Sequence, residues 1–296
     1  MIDETGKKNE EMEAADKHLT WRLTSVIHKE SIMRNNMKNW KIIVAMIGII
    51  VVLAIVPMPR AWACKDNPYP HYSQVIPPNA HPFGKSYGEW SAEWWEWQIK
   101  LPATDHPAYS LDGANCDAGQ SGMVWFLTGA FTTEVPADFN TIVRESCSVP
   151  VGKAIFFPII NVECSTIEAP PFHGETPEEL LSCAKSWFDG TNAVAKDLKV
   201  TIDGKTLENL ELEPYRFQSP VFNFSFEDTT DNILGVSCCE VNCSNPQSVS
   251  DGYWIMLAPL SKGEHTIRFI GSFRDPMTDA LIFGLDVTYI LSVVGR

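Results

Sequence analysis

The apolar positions of this chain change period along its length, and each change marks an element. Residues 86–101, SYGEWSAEWWEWQIKL, hold four tryptophans and three glutamates. At about 100° per residue, Glu89, Glu93 and Glu96 share one face and Trp90, Trp94 and Trp97 form a stripe beside it, which predicts a helix. Ser86 followed by Glu89 is a capping-box pattern, and Pro102 supplies the stop. A second helix is predicted over 177–189, with Thr176 as N-cap, Pro177 in the first helical position and Glu179 completing a capping box. Its apolar residues Leu180, Cys183, Ala184 and Trp187 recur at helical spacing before Gly190.

Elsewhere the pattern is that of strands. Apolar or alternating runs at 123–127, 141–143, 154–160, 198–202, 253–257, 265–270 and 287–293 are separated by turn formers, and Asp203-Gly204 is a hairpin dipeptide. Phe222, Phe224 and Phe226 alternate as one face of a further strand. The run at 154–160 is almost wholly apolar, as in a strand covered on both faces, and leads into Asn161, Glu163 and Cys164. The expected fold is mainly β: an antiparallel β-sandwich, jelly-roll or immunoglobulin-like, with two accessory helices at about 86–101 and 177–189.

The amino-terminal region follows another pattern. Residues 1–41 are a polar lead, and the start of the exported protein falls equally well at Met33 or Met37. Arg34, Lys38 and Lys41 precede the apolar run IIVAMIGIIVVLAIV at 42–56, then prolines and Ala61-Trp62-Ala63. A basic flank, a short apolar run and a small-x-small site predict a secretory signal over 42–63, cleaved before Cys64. Residues 42–58 retained as a transmembrane anchor are the alternative, although the run is short for a span of about 20 residues. The exported domain is then 64–296.

Charge narrows the partners. Residues 64–296 carry 14 Lys and Arg against 30 Asp and Glu. Such a domain repels phosphate backbones, which excludes nucleic acid, and the membrane is reached only through 42–58 if that segment is uncleaved. All eight cysteines, Cys64, Cys116, Cys147, Cys164, Cys183, Cys238, Cys239 and Cys243, lie in this part, as expected of disulfides in an oxidising compartment. Proximity in the chain suggests Cys116 with Cys147 and Cys164 with Cys183; the neighbours Cys238 and Cys239 are expected to take different partners.

Familiar catalytic motifs are missing: Gly119-Gln120-Ser121-Gly122 lacks the spacing of a nucleophile elbow, and no HExxH, GxGxxG or phosphate-loop sequence occurs. Two chemistries remain open. Trp90, Trp94 and Trp97 offer platforms for sugar rings, and Glu93 or Glu96 with Glu163 could supply the paired carboxyls of a glycosidase. Glu89 and Glu93 at i, i+4, with Asp105, His106 or His173, are candidate ligands for Ca²⁺; no other cofactor is indicated.

Three stretches, YGEWSAEWWEWQIKLP at 87–102, DGANCDAGQSGMVWFLTG at 112–129 and RESCSVPVGKAIFFPIINVECS at 144–165, resemble an uncharacterised family of exported microbial proteins. The resemblance continues more weakly through VTIDGK at 200–205 and GEHTIRF at 263–269, and implies export and a shared β-rich domain without an activity. The sequence therefore reads as an exported, disulfide-bonded binding or structural module, secreted, periplasmic or on the cell surface, with a glycan or an envelope protein as partner. The alternatives are a carbohydrate-active or metal-assisted hydrolase using Glu93, Glu96 and Glu163, and a cell-envelope assembly subunit with an open sheet edge.

Overall fold

The computed structural model describes residues 74–131, 139–208, 211–225, 231–238 and 241–295. The amino-terminal lead, the apolar run at 42–58, Cys64, Phe226 and Cys239 lie outside the described residues. Two sheets pack together, each contributing one inner face to the core. The first has the order β1 (Val124–Phe126), β3 (Ala154–Ser165), β8 (Gln247–Leu257), β6 (Arg216–Gln218), with β7 (Phe222–Asn223) also pairing with β8. The second runs β2 (Asn140–Pro150), β10 (Leu281–Val294), β9 (Gly263–Arg274), β4 (Val194–Ile202), β5 (Lys205–Glu208). This is the expected mainly-β, sandwich-like class. Most pairs are antiparallel, but β1 runs parallel to β3 and β2 parallel to β10, so both sheets are mixed at one edge.

The strands are longer than their apolar runs because polar residues occupy inward positions. In β2 the fully buried Arg144 and a register shift opposite Tyr289 and Leu291 break the alternation that Cys147 and Val149 resume. In β3 the strand continues through Asn161 and Glu163 to Ser165, each paired with β8. At the β4–β5 turn Asp203 and Gly204 both take positive φ, as the two-residue hairpin requires.

The sheets approach where β3 faces β9. Phe157 stacks on Phe269 at 5.2 Å, and a Cβ at Gly271 would lie 2.9 Å from Ile160 Cβ, so glycine is what permits the approach. Both helices, α1 (Tyr87–Lys100) and α2 (Pro177–Ser186), pack on the first sheet, making a third layer. Each begins with the predicted capping box, Ser86 with Glu89 and Thr176 with Glu179.

Helix α1 is a brace. Trp90, Trp94, Trp95 and Trp97 are all buried. Trp94 packs edge-on against Trp254 of β8 at 5.4 Å, and Tyr87 donates to the Ile76 carbonyl while accepting from the Met256 amide. Three indoles each pin a loop: Trp90 Nε1 donates to Pro82 O (3.0 Å), Trp94 Nε1 to Leu127 O (2.8 Å) and Trp97 Nε1 to Ala118 O (2.9 Å). Rings of this size dominate core energetics once their N–H is satisfied. Glu89 and Glu96 face solvent, and Glu93, half-exposed, pairs with Lys85.

Disulfides join Cys116 to Cys147, Cys164 to Cys183 and Cys238 to Cys243. The first fastens the loop before β1 onto the outer strand β2. That loop also gives β2 a backbone bond, Ser146 N to Asp112 O at 3.0 Å, and meets Arg144, which donates to Ser110 O and Ala108 O of the loop and to Thr128 O just after β1. An outer strand covered in this way is not free to pair along its middle. Three disulfides fit an extracytoplasmic module. No helix of the described residues is long and apolar enough to cross a membrane.

Candidate functional site

Beside α1, between the end of β3 and the ends of β9 and β10, lies a cavity of about 450 Å³. Its size falls in the range of small-molecule sites, about 300–1,000 Å³. Trp94 and Trp95 of α1 form one wall, Asn161 and Glu163 of β3 another, and Phe273 and Leu285 of the second sheet a third. Trp187, just after α2, closes a further side, with Phe172 stacked on it at 5.0 Å. The lining is mainly apolar and, among the described residues, contains no Lys, Arg or His.

Two carboxyl groups sit in this wall. Glu163 is 4% exposed and accepts a short hydrogen bond from Ser248 Oγ on the neighbouring strand. Glu168 reaches it from the loop after β3, which folds back because Ser165 N bonds Phe172 O (3.0 Å) and Gly174 N bonds Ser165 O (3.2 Å). Ser165 Oγ donates to Glu168 at 2.8 Å and accepts from its amide, fixing the side chain. The Cys164–Cys183 bridge ties the same loop to α2, with Cα atoms 6.2 Å apart.

The two carboxyls lie close enough to shift each other's protonation. Burial pushes Glu163 well above the ordinary carboxylate range, and the charge of Glu168 pushes it further, against the bond from Ser248. Glu168 is also raised by burial, with the bonds from Glu163 and Ser165 and the nearby His173 opposing. Of the two, Glu163 is the more strongly held in its protonated form, with Glu168 on the accepting side.

Three polar atoms of the lining residues are buried with no hydrogen-bond partner among the described residues: Trp95 Nε1, Trp187 Nε1 and Asn161 Oδ1. Buried polar groups are normally bonded, since leaving one unpaired costs about 1–3 kcal/mol. All three atoms belong to residues that line the one aromatic cavity.

The sequence-predicted residues divide differently from the expectation. Of Trp90, Trp94 and Trp97, Trp94 alone lines the cavity; the other two are buried brackets, so the stripe offers no exposed sugar platform. Glu163 is in the cavity, whereas Glu89, Glu93 and Glu96 stand on the opposite, solvated side of α1 and supply it with no second acid. The second acid is Glu168. The spacing of Glu163 and Glu168 follows no helical or strand period, and only the Ser165 fold-back brings them together.

The candidate metal ligands are dispersed. Glu89 is used in the helix cap, Glu93 in its pair with Lys85, and Asp105 is exposed on a turn. His106 is buried and held neutral, its Nε2 donating to Gln98 O (2.9 Å) and its Nδ1 accepting from Ala108 N (3.1 Å); burial first, and then Arg144, lower its pKa to about 4 against the pull of Gln98. Among the described residues no group of three or more His, Cys, Asp or Glu is placed to hold a metal ion.

One other constellation has the residue types of a hydrolase. Asp203 accepts from His265 Nδ1 at 2.8 Å, and Ser261 Oγ lies 3.2 Å from His265 Nε2. Yet Nε2 is closer to the Ser261 carbonyl, at 2.9 Å, and must donate there, so it has no lone pair to take a proton from the hydroxyl. Burial disfavours its charge, but Asp203 and the Ser261 carbonyl hold the imidazole pKa above its usual value, which makes this a charged tie across the β8–β9 turn.

No protein-family model matches the sequence, and no curated protein does. Among solved structures, a chain of the complex described as "Structure of PbICP-C in complex with falcipain-2" superposes at a TM-score of 0.22 and 10% identity, over 57% of this chain and 98% of the other. That superposition is too loose to carry either fold or function.

Proposed function

We propose that this chain is an exported binding module that takes a small, mainly apolar molecule into the cavity between Trp94, Trp95, Trp187 and Glu163. The observation that carries this reading is an aromatic cavity of ligand size with two buried carboxyl groups in its wall. Export is supported by the signal pattern at 42–63 and by three disulfides; amino-terminal sequencing of the mature protein should begin at Cys64, and a sequence beginning before Ala61 contradicts cleavage there.

The hydrolase reading keeps one of its three proposed acids at the cavity, Glu163, while Glu93 and Glu96 do not line it. An assembly subunit that accepts a strand needs an open edge, and the middle of β2 is covered by the loop bearing Cys116. Binding is tested by calorimetric titration with indole. Indole should bind the wild type and fail to bind Ala130→Phe, which fills the cavity. Equal binding to both proteins, or none to the wild type, contradicts the proposal.

A further inference from the structure

We infer that the ligand of this cavity is an organic amine, a protonated nitrogen carried on a small apolar body. The inference rests on the binding reading above and adds the chemistry of the ligand's polar end. Glu163 and Glu168 face each other in one wall, each held by a serine hydroxyl, Ser248 and Ser165. Neither has an ion-pair partner among the described residues within 4.0 Å. The basic group that acts on the pair is His173, which belongs to the fold-back loop and does not line the cavity. Arg144 lies behind Thr128, and backbone carbonyls and the Tyr289 hydroxyl take up its guanidinium protons.

Two buried carboxyl groups in an aromatic cavity with no cationic side chain in its lining suit a ligand that brings its own cation, because a carboxylate buried without a partner is costly. The rest of the lining suits an ammonium group. Indole and phenyl faces attract cations, most strongly where water is excluded, and Trp94, Trp95 and Trp187 lie around the same space as the carboxyls. Trp95, 5% exposed, meets the ligand's body with its ring. An anionic ligand would meet Glu168 with no basic side chain in the lining to offset it. A sugar would find too few polar partners for its hydroxyls.

The test compares two isosteric probes, 2-phenylethylamine and 2-phenylethanol, by calorimetry at pH 8. The amine is expected to bind at least about tenfold more tightly than the alcohol, on the scale of charge-assisted bonds. In Glu163→Gln/Glu168→Gln that ratio should fall to within about threefold; if the double variant does not fold, Glu168→Gln alone should lower it. Equal affinities in the wild type overturn the amine inference and leave the binding reading standing. Binding of neither probe overturns both. A preference for the amine that survives in the folded variant overturns the assignment to these carboxyls.

Discussion

Helix α1 and the segment 163–173 carry similar equipment, aromatic rings beside glutamates, and use it in opposite ways. In α1 the glutamates face water and three of the four indoles donate to loop carbonyls, so its polar atoms are spent within the fold. In 163–173 the glutamates are turned inward and face each other, next to indole and amide atoms that have no partner. The composition of α1 is extreme because a helix buried on most sides must be apolar there. The chemistry lies instead in an ordinary-looking stretch where polar groups are held in place but not satisfied.

The largest effects should come from breaking the brace. Trp90→Ala or Trp97→Ala removes a buried ring and orphans the carbonyl it pins, and each should lower stability by about 3–5 kcal/mol in urea unfolding. A loss below about 1 kcal/mol would make α1 something other than a brace. Next, Cys164→Ser/Cys183→Ser should lower stability by about 2–4 kcal/mol, and amide hydrogen exchange should quicken in 166–174 more than in α1. Equal quickening in both would remove the distinction between a stapled loop and a packed helix.

The carboxyl pair should act in the other direction. Both groups have raised pKa values in the folded state, so the native protein binds more protons than the unfolded chain. Their contribution is therefore most favourable at low pH and is lost as pH rises from the ordinary carboxylate range through the raised values. Glu163→Gln keeps a donor to Glu168 without the titrating group. It should raise stability at pH 7 by about 1–2 kcal/mol and flatten the pH dependence above the ordinary carboxylate range. An unchanged slope would show that burial does not hold Glu163 in its protonated form. Smallest of all, Glu96→Gln on the solvated row should change stability by less than about 0.5 kcal/mol and leave indole binding as it was.

Much of the fold was legible because its signals are local. Capping boxes at Ser86 and Thr176, the Asp203-Gly204 turn and the alternation in β4 and β9 each depend on a few neighbouring residues. The length of β2 was not, since a buried arginine and a bulge hide its period. At the site, Glu163 stood out as a carboxyl closing an apolar strand. Glu168 did not, because its place depends on a turn pinned by Ser165 and on a disulfide to α2. The tryptophan stripe was legible as a pattern and ambiguous in meaning, since a platform for ligands and a packed core place the same residues at the same spacing.

The central claim is that ligands enter beside Trp95 and Trp187 and not along the stripe. It is tested most directly by following the indole N–H resonances by NMR while 2-phenylethylamine is added. Trp95 and Trp187, whose N–H groups are unpartnered, should shift progressively and saturate, while Trp90 and Trp97, already bonded to Pro82 and Ala118, stay in place. Movement of Trp90 and Trp97 with Trp95 and Trp187 unmoved would contradict the account.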